Sequence, residues 1–267
     1  MNQSTFYSTI WNQCMIILSF ITCSVHWISS FESIPVKPLR ILAKQPFVLI
    51  WKGLYRYHHF LPWITIISCA IRSIWPRIEN DRTCFYNHWI SVSSVGKVLA
   101  TMDEVSLVIQ IGLYMIQSTG KTKTATLLCA MNGFSQCCTW YAVLTTNQIG
   151  YIFEEIIWML SLSLMVLELL DANLFLYSMY GICSILGRLF IMIPIYMYRY
   201  KKDGYNKKQY VTIVDGWMDL QFCHTSTQLD SYWLPHILWI TISYSCMVCM
   251  SLGIHRSFVQ MNLKDLV

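Results

Sequence analysis

Stretches of seventeen or more mostly apolar residues recur along the whole chain, and each is long enough to cross a hydrocarbon core about 30 Å thick as a helix. That feature sets the fold class. Only 12% of the 267 residues are charged and 55% are hydrophobic, whereas soluble domains carry about 25% charged residues. The expected fold is therefore all-α, a polytopic transmembrane helical bundle forming one integral membrane domain over residues 1–267. The predicted spans are 9–31, 59–75, 95–117, 124–146, 149–170, 172–198 and 233–253. The second is the weakest, being short and carrying Arg72, so seven spans are expected and six are the alternative. The fifth and sixth are joined only by a Leu-Leu-Asp-Ala-Asn link and should form a tight helical hairpin.

The first span does not read as a signal peptide: no Lys or Arg precedes it, it is too long for an h-region, and no small-residue cleavage site follows. Lys37, Arg40, Lys44, Lys52 and Arg56 follow it, which favours an outside N-terminus. Summed over all loops of the seven-span arrangement, nine basic residues fall on the side opposite the N-terminus and seven on the N-terminal side. The formal charge of +5 is thus spread over both faces and gives no argument for nucleic-acid binding. Two long loops, 32–58 and 199–232, carry basic and aromatic residues suited to lying along headgroups. Trp27, Trp75, Trp89, Tyr196, Tyr198, Tyr232 and Trp233 stand at span ends, where an aromatic belt is expected. The lipid bilayer is the expected partner, localisation is integral and multi-pass, and association with further copies is compatible with this composition.

Most of the eleven cysteines lie inside spans, where a thiol behaves as a small hydrophobe. Cys84 and Cys223 lie in loops on the N-terminal side and would form a disulfide if that side is oxidising.

The informative residues are polar ones at membrane depth, because a carboxylate or guanidinium there must find a partner or water. In the third span Asp103, Ser106, Gln110, Tyr114 and Gln117 fall on one helical stripe, with Glu104 beside it. The fourth places Asn132 and Gln136 on a polar seam, the fifth carries Glu154 and Glu155 with Trp158 one turn on, and the sixth carries Arg188 on a face with Gly181 and Ser184. At 1.5 Å per residue Glu154 and Glu155 lie about 8 Å below one surface, Asp103 and Glu104 about 12–14 Å, and Gln136 and Arg188 about 15 Å. Arg72, Lys97 and His236 are nearer that surface and are expected at a headgroup or other anion.

The expected site is a cavity lined by Asp103, Glu104, Gln110, Gln136, Glu154, Glu155, Trp158 and Arg188. Adjacent glutamates point about 100° apart, so one should pair with Arg188 while the other faces the cavity or Lys97. Four acids face three bases, Arg72, Lys97 and Arg188, which leaves an acid for proton or cation handling. The seven histidines make no His-x-x-His or His-x-x-x-His pattern, so no metal is expected. No nucleotide, P-loop or hydrolase fingerprint is present, so no cofactor is expected either. The reading these residues favour is a small transporter or channel for protons, cations or a small polar solute. The alternatives are an intramembrane enzyme acting on a lipid or prenyl substrate, with a carboxylate as general acid or base, and a receptor or structural subunit whose polar layer only fixes helix register.

Overall fold

The computed structural model describes residues 47–79, 82–171, 175–203, 212–222, 224–225 and 230–264, with Cys14, Leu18 and Ile21. For 48, 169–171, 175–177, 202–203, 225, 230–239 and 258–264 it describes the backbone alone. The predicted 9–31 span, apart from those three positions, and Cys223 lie outside the described residues.

The helices are α1 (Val48–Arg56), α2 (Phe60–Ile74), α3 (Ser93–Thr119), α4 (Thr122–Thr145), α5 (Gln148–Asp171), α6 (Phe175–Gly187), α7 (Ile193–Asp203), α8 (Ile213–Asp219) and α9 (Asp230–Lys264). A π turn, Arg188–Met192, joins α6 to α7 without a break. Among the described residues three helices are long and apolar enough to cross a membrane: Ser93–Thr119, Gln148–Glu168 and Ser178–Lys201. They coincide with the predicted 95–117, 149–170 and 172–198 spans. Of the other described helices, α2 is apolar but only 15 residues long. The next, α4, has the length, yet Thr122, Lys123, Asn132, Ser135, Gln136 and Thr139 dilute its apolar character.

The all-α expectation needs one correction. Two-residue strands β1 (Arg77–Ile78), β2 (Thr83–Cys84) and β3 (His224–Thr225) form a small sheet in the order β1-β2-β3. β1 and β2 pair antiparallel, Arg77 opposite Cys84, and β2 and β3 pair parallel, Thr83 opposite His224. Cys84 is disulfide-bonded. Strands this short carry no period-2 pattern for a sequence reading to detect.

The chain forms two compact units. The first comprises 1–38, 56–110 and 221–267. In it α9 packs along α2, with Cys69, Ile240 and Tyr244 buried together and Met247 and Val248 against them. Pro62 is accommodated in the first turn of α2, where backbone N–H groups have no intrahelical acceptor to lose.

The second unit comprises 39–55 and 111–220. α3 ends at Gly120, whose φ of 73° is the left-handed conformation that glycine adopts without steric cost, and its N–H closes on the Ile116 carbonyl at 2.9 Å. α4 ends at Thr146, and Asn147 then caps α5 by accepting the Ile149 N–H at 3.0 Å. Two short connections thus join α3 to α4 and α4 to α5, and α4 packs closely along α5. Ala142, Val143, Tyr151 and Leu220 form a core with Leu144 and Tyr196 around it. Two short helices flank the bundle. α1 buries Trp51, which donates to Thr126 Oγ1 at 2.8 Å, and leaves Leu49 and Ile50 exposed. α8 buries Gly216 and exposes Ile213, Val214, Trp217 and Met218. An outward apolar face on a short surface helix is the form of an interfacial segment.

The α4–α5 contact leaves no room at Gly150, where a Cβ would meet the Cys138 carbonyl and the Ala142 methyl. Gly150→Val should therefore destabilise by about 1–3 kcal/mol through overpacking. Gly133→Ala, at a position with nothing within 4 Å, should not destabilise. Thermal unfolding of both variants in detergent micelles reads the difference, and equal melting would contradict this packing.

Candidate functional site

The acids and bases of the predicted layer fall into two constellations, one in each unit. In the first, Asp103 is completely buried on α3. Its Oδ2 accepts from Arg72 Nη1 at 2.7 Å and receives a longer contact from the Cys69 thiol at 3.7 Å. Its Oδ1 is buried and has no hydrogen-bond partner. Cys69 and Arg72 lie three residues apart, so one face of α2 delivers both. Arg72 also reaches Glu79 at 3.7 Å, and its guanidinium lies over the Tyr244 ring at 4.6 Å from the centroid. Sequence reasoning places Arg72 at a headgroup or other anion; in the structure its anions are the carboxylates of Asp103 and Glu79. Burial accounts for this, since a guanidinium inside a helix contact needs a carboxylate beside it.

One and two turns further along α3 the polar stripe becomes a closed hydrogen-bond network. Thr65 and Ser106 hydroxyls meet at 2.6 Å. Gln110 donates to Thr65 Oγ1 at 3.1 Å and to the Ser106 carbonyl at 3.3 Å, and its Oε1 accepts from Ser251 at 2.8 Å. With donors and acceptors of the amide matched, this network ties α2, α3 and α9 together. Gln110 is therefore structural glue rather than part of an open lining. Glu104, next along α3, is half-buried, and Lys97 is 1% exposed.

The second constellation is built on α5 and the π turn. Glu154 and Glu155 are both buried. Arg188 forms an ion pair with Glu155 and lies over the Trp158 ring at 4.9 Å from the centroid, so the pairing expected between Arg188 and one of the two glutamates falls on Glu155. Trp158 sits one turn beyond Glu154 and Glu155 on the same helix, and its face supplies a cation–π contact to a guanidinium already held by a carboxylate. Arg188 opens the π turn. An extra residue in one helical turn re-aims a side chain, and such turns are concentrated at functional sites. Glu154 faces α4 near Cys138, and Gln136 is buried on α4. His236 lies on α9, with its side chain outside the described residues.

Sequence reasoning missed Glu79, Tyr244, Thr65 and Ser251. Glu79 lies in a loop and Tyr244 looked like one more apolar aromatic of the last span; only the register of α9 against α2 puts its ring beneath Arg72. Ser251 is isolated between apolar residues and becomes polar glue only through Gln110.

No protein-family profile, curated protein or solved structure matches this chain.

Proposed function

We propose that the chain is a seven-span membrane transporter or channel for protons, cations or a small polar solute, with Asp103 as the group that exchanges its charge partner. The observation that carries this reading is the split environment of one carboxylate: Oδ2 held by Arg72, Oδ1 buried with no partner. A carboxylate satisfied on both oxygens only holds helices together. One with a buried oxygen that makes no protein hydrogen bond can take a proton or small cation there, and doing so weakens the hold on the arginine. The Glu155–Arg188 pair is a second carboxylate–arginine clamp at a π turn, and it provides a second place where charge partners can exchange.

The test is flux. In proteoliposomes loaded with a pH-sensitive dye, wild-type protein should carry a proton or cation current. Asp103→Asn should lower it at least tenfold while the protein remains folded, and Glu155→Gln should lower it too. Absence of any flux in wild type, or equal flux in Asp103→Asn, overturns the reading. A phospholipid or prenyl lipid co-purifying without flux would shift the assignment to an intramembrane enzyme.

A further inference from the structure

Arg77 is a buried cation whose surroundings call for an anion. Its residue exposure is 7%, and its Nη1 donates to the Ile90 carbonyl at 2.6 Å and the Val92 carbonyl at 3.2 Å. Its Nε and Nη2 are buried and have no acceptor. No carboxylate among the described residues lies within ion-pair distance of it; Glu79, whose charge acts on it, is engaged with Arg72. Ser91, between the two carbonyls that hold Arg77, is 0% exposed, and its hydroxyl also lacks a partner.

The guanidinium lies on the first turn of α3. Its Cδ, Nε and Cζ occupy the space that a Cβ on Gly96 would need. The N-terminal end of a 27-residue helix carries partial positive charge and N–H groups without intrahelical acceptors. A buried arginine there faces the helix dipole with the wrong sign, and Arg72 opposes its charge as well. Burial lowers the Arg77 guanidinium to about 10, which still leaves it protonated at neutral pH.

Two unpaired guanidinium N–H groups on one edge, an unpaired serine hydroxyl and a helix N-terminus are together the donor set that binds tetrahedral oxyanions. We propose that Arg77, Ser91 and the first turn of α3 form a binding site for a phosphate group, beneath the exposed His88–Trp89 turn. The phosphate comes either from a phospholipid headgroup or from a free phosphate in the aqueous phase.

The two sources are separable with the full chain in maltoside micelles, which contain no phosphate. Inorganic phosphate is titrated first, then phosphatidylglycerol, while thermal unfolding is followed. A melting temperature that rises with inorganic phosphate identifies a soluble ligand; a rise with phosphatidylglycerol alone identifies a headgroup. Either response should weaken at least tenfold in apparent affinity in Arg77→Gln and less in Ser91→Ala, and should persist in Arg199→Gln. If Arg77→Gln does not fold, Arg77→Lys carries the comparison, because an ammonium keeps the charge and loses the planar fork. No stabilisation by either probe, or stabilisation unchanged in the Arg77 and Ser91 variants, overturns the site. Because it rests on neither Asp103 nor flux, this result stands or falls apart from the transport reading.

Discussion

Arg72→Met should destabilise the protein by about 3–5 kcal/mol. The substitution keeps the apolar stem of the side chain and loses the guanidinium, with its contact over the Tyr244 ring. What it removes is the charge partner of a carboxylate that is 0% exposed, with the other oxygen already unpaired. Glu79, 16% exposed in its side chain, also loses a partner but can turn to water. The double variant Arg72→Met/Asp103→Leu removes both charges, and most of the stability should return, because a buried pair is costly to break and cheap to replace whole. Equilibrium unfolding in micelles, followed by tryptophan fluorescence, gives the cycle. Additive losses from Arg72→Met and Asp103→Leu would falsify the buried pair.

The second large effect is an asymmetry at the other clamp. Arg188 has 22% of its side chain exposed and Glu155 only 6%. Losing Arg188 removes the ion-pair partner of a buried carboxylate, so Arg188→Leu should cost about 2–4 kcal/mol, somewhat below a fully buried pair. Glu155→Gln leaves a neutral acceptor beside an arginine that keeps the Trp158 face and can lift its head toward water, so about 1 kcal/mol is expected. The same unfolding measurement decides the order. If Glu155→Gln is the more damaging of the two, Arg188 depends on its partner rather than the reverse, and the description of this clamp is wrong.

Much of this was legible in the sequence, for reasons that particular residues make plain. The apolar runs predicted α3, α5 and the α6–α7 segment to within a few residues at most ends, because hydropathy over a span-length window is a strong signal. The need of Arg188 for a carboxylate was legible too, since a guanidinium at that depth has few other options. Depth along a helix follows from residue count, but the direction a side chain takes around its axis depends on how the helix is turned against its neighbours. Hence sequence reasoning gives Arg72 an anion at about the right level without naming Asp103, and it does not show that Gln110 closes a network with Thr65, Ser106 and Ser251. The π turn does have a mark in the sequence that hydropathy does not read: Pro194 lacks the N–H that would close on the Phe190 carbonyl, inside Arg188–Met192, and its ring crowds that carbonyl. The single cavity predicted from matched depths rested on acids that belong to two separate units, Asp103 and Glu104 in one and Glu154 and Glu155 in the other.

The cross-link at Cys84 has a consequence for direction. Such bonds persist where glutathione and thioredoxin do not reduce them, and on the proposed reading the strand that holds Cys84, and with it the Arg77-covered start of α3, faces an oxidising compartment. On the proposed reading a cation reaching Asp103 from that end travels down the voltage gradient of an energised membrane, gaining up to about 2.3 kcal/mol per 100 mV for a full crossing. Uptake rather than export is then the downhill direction.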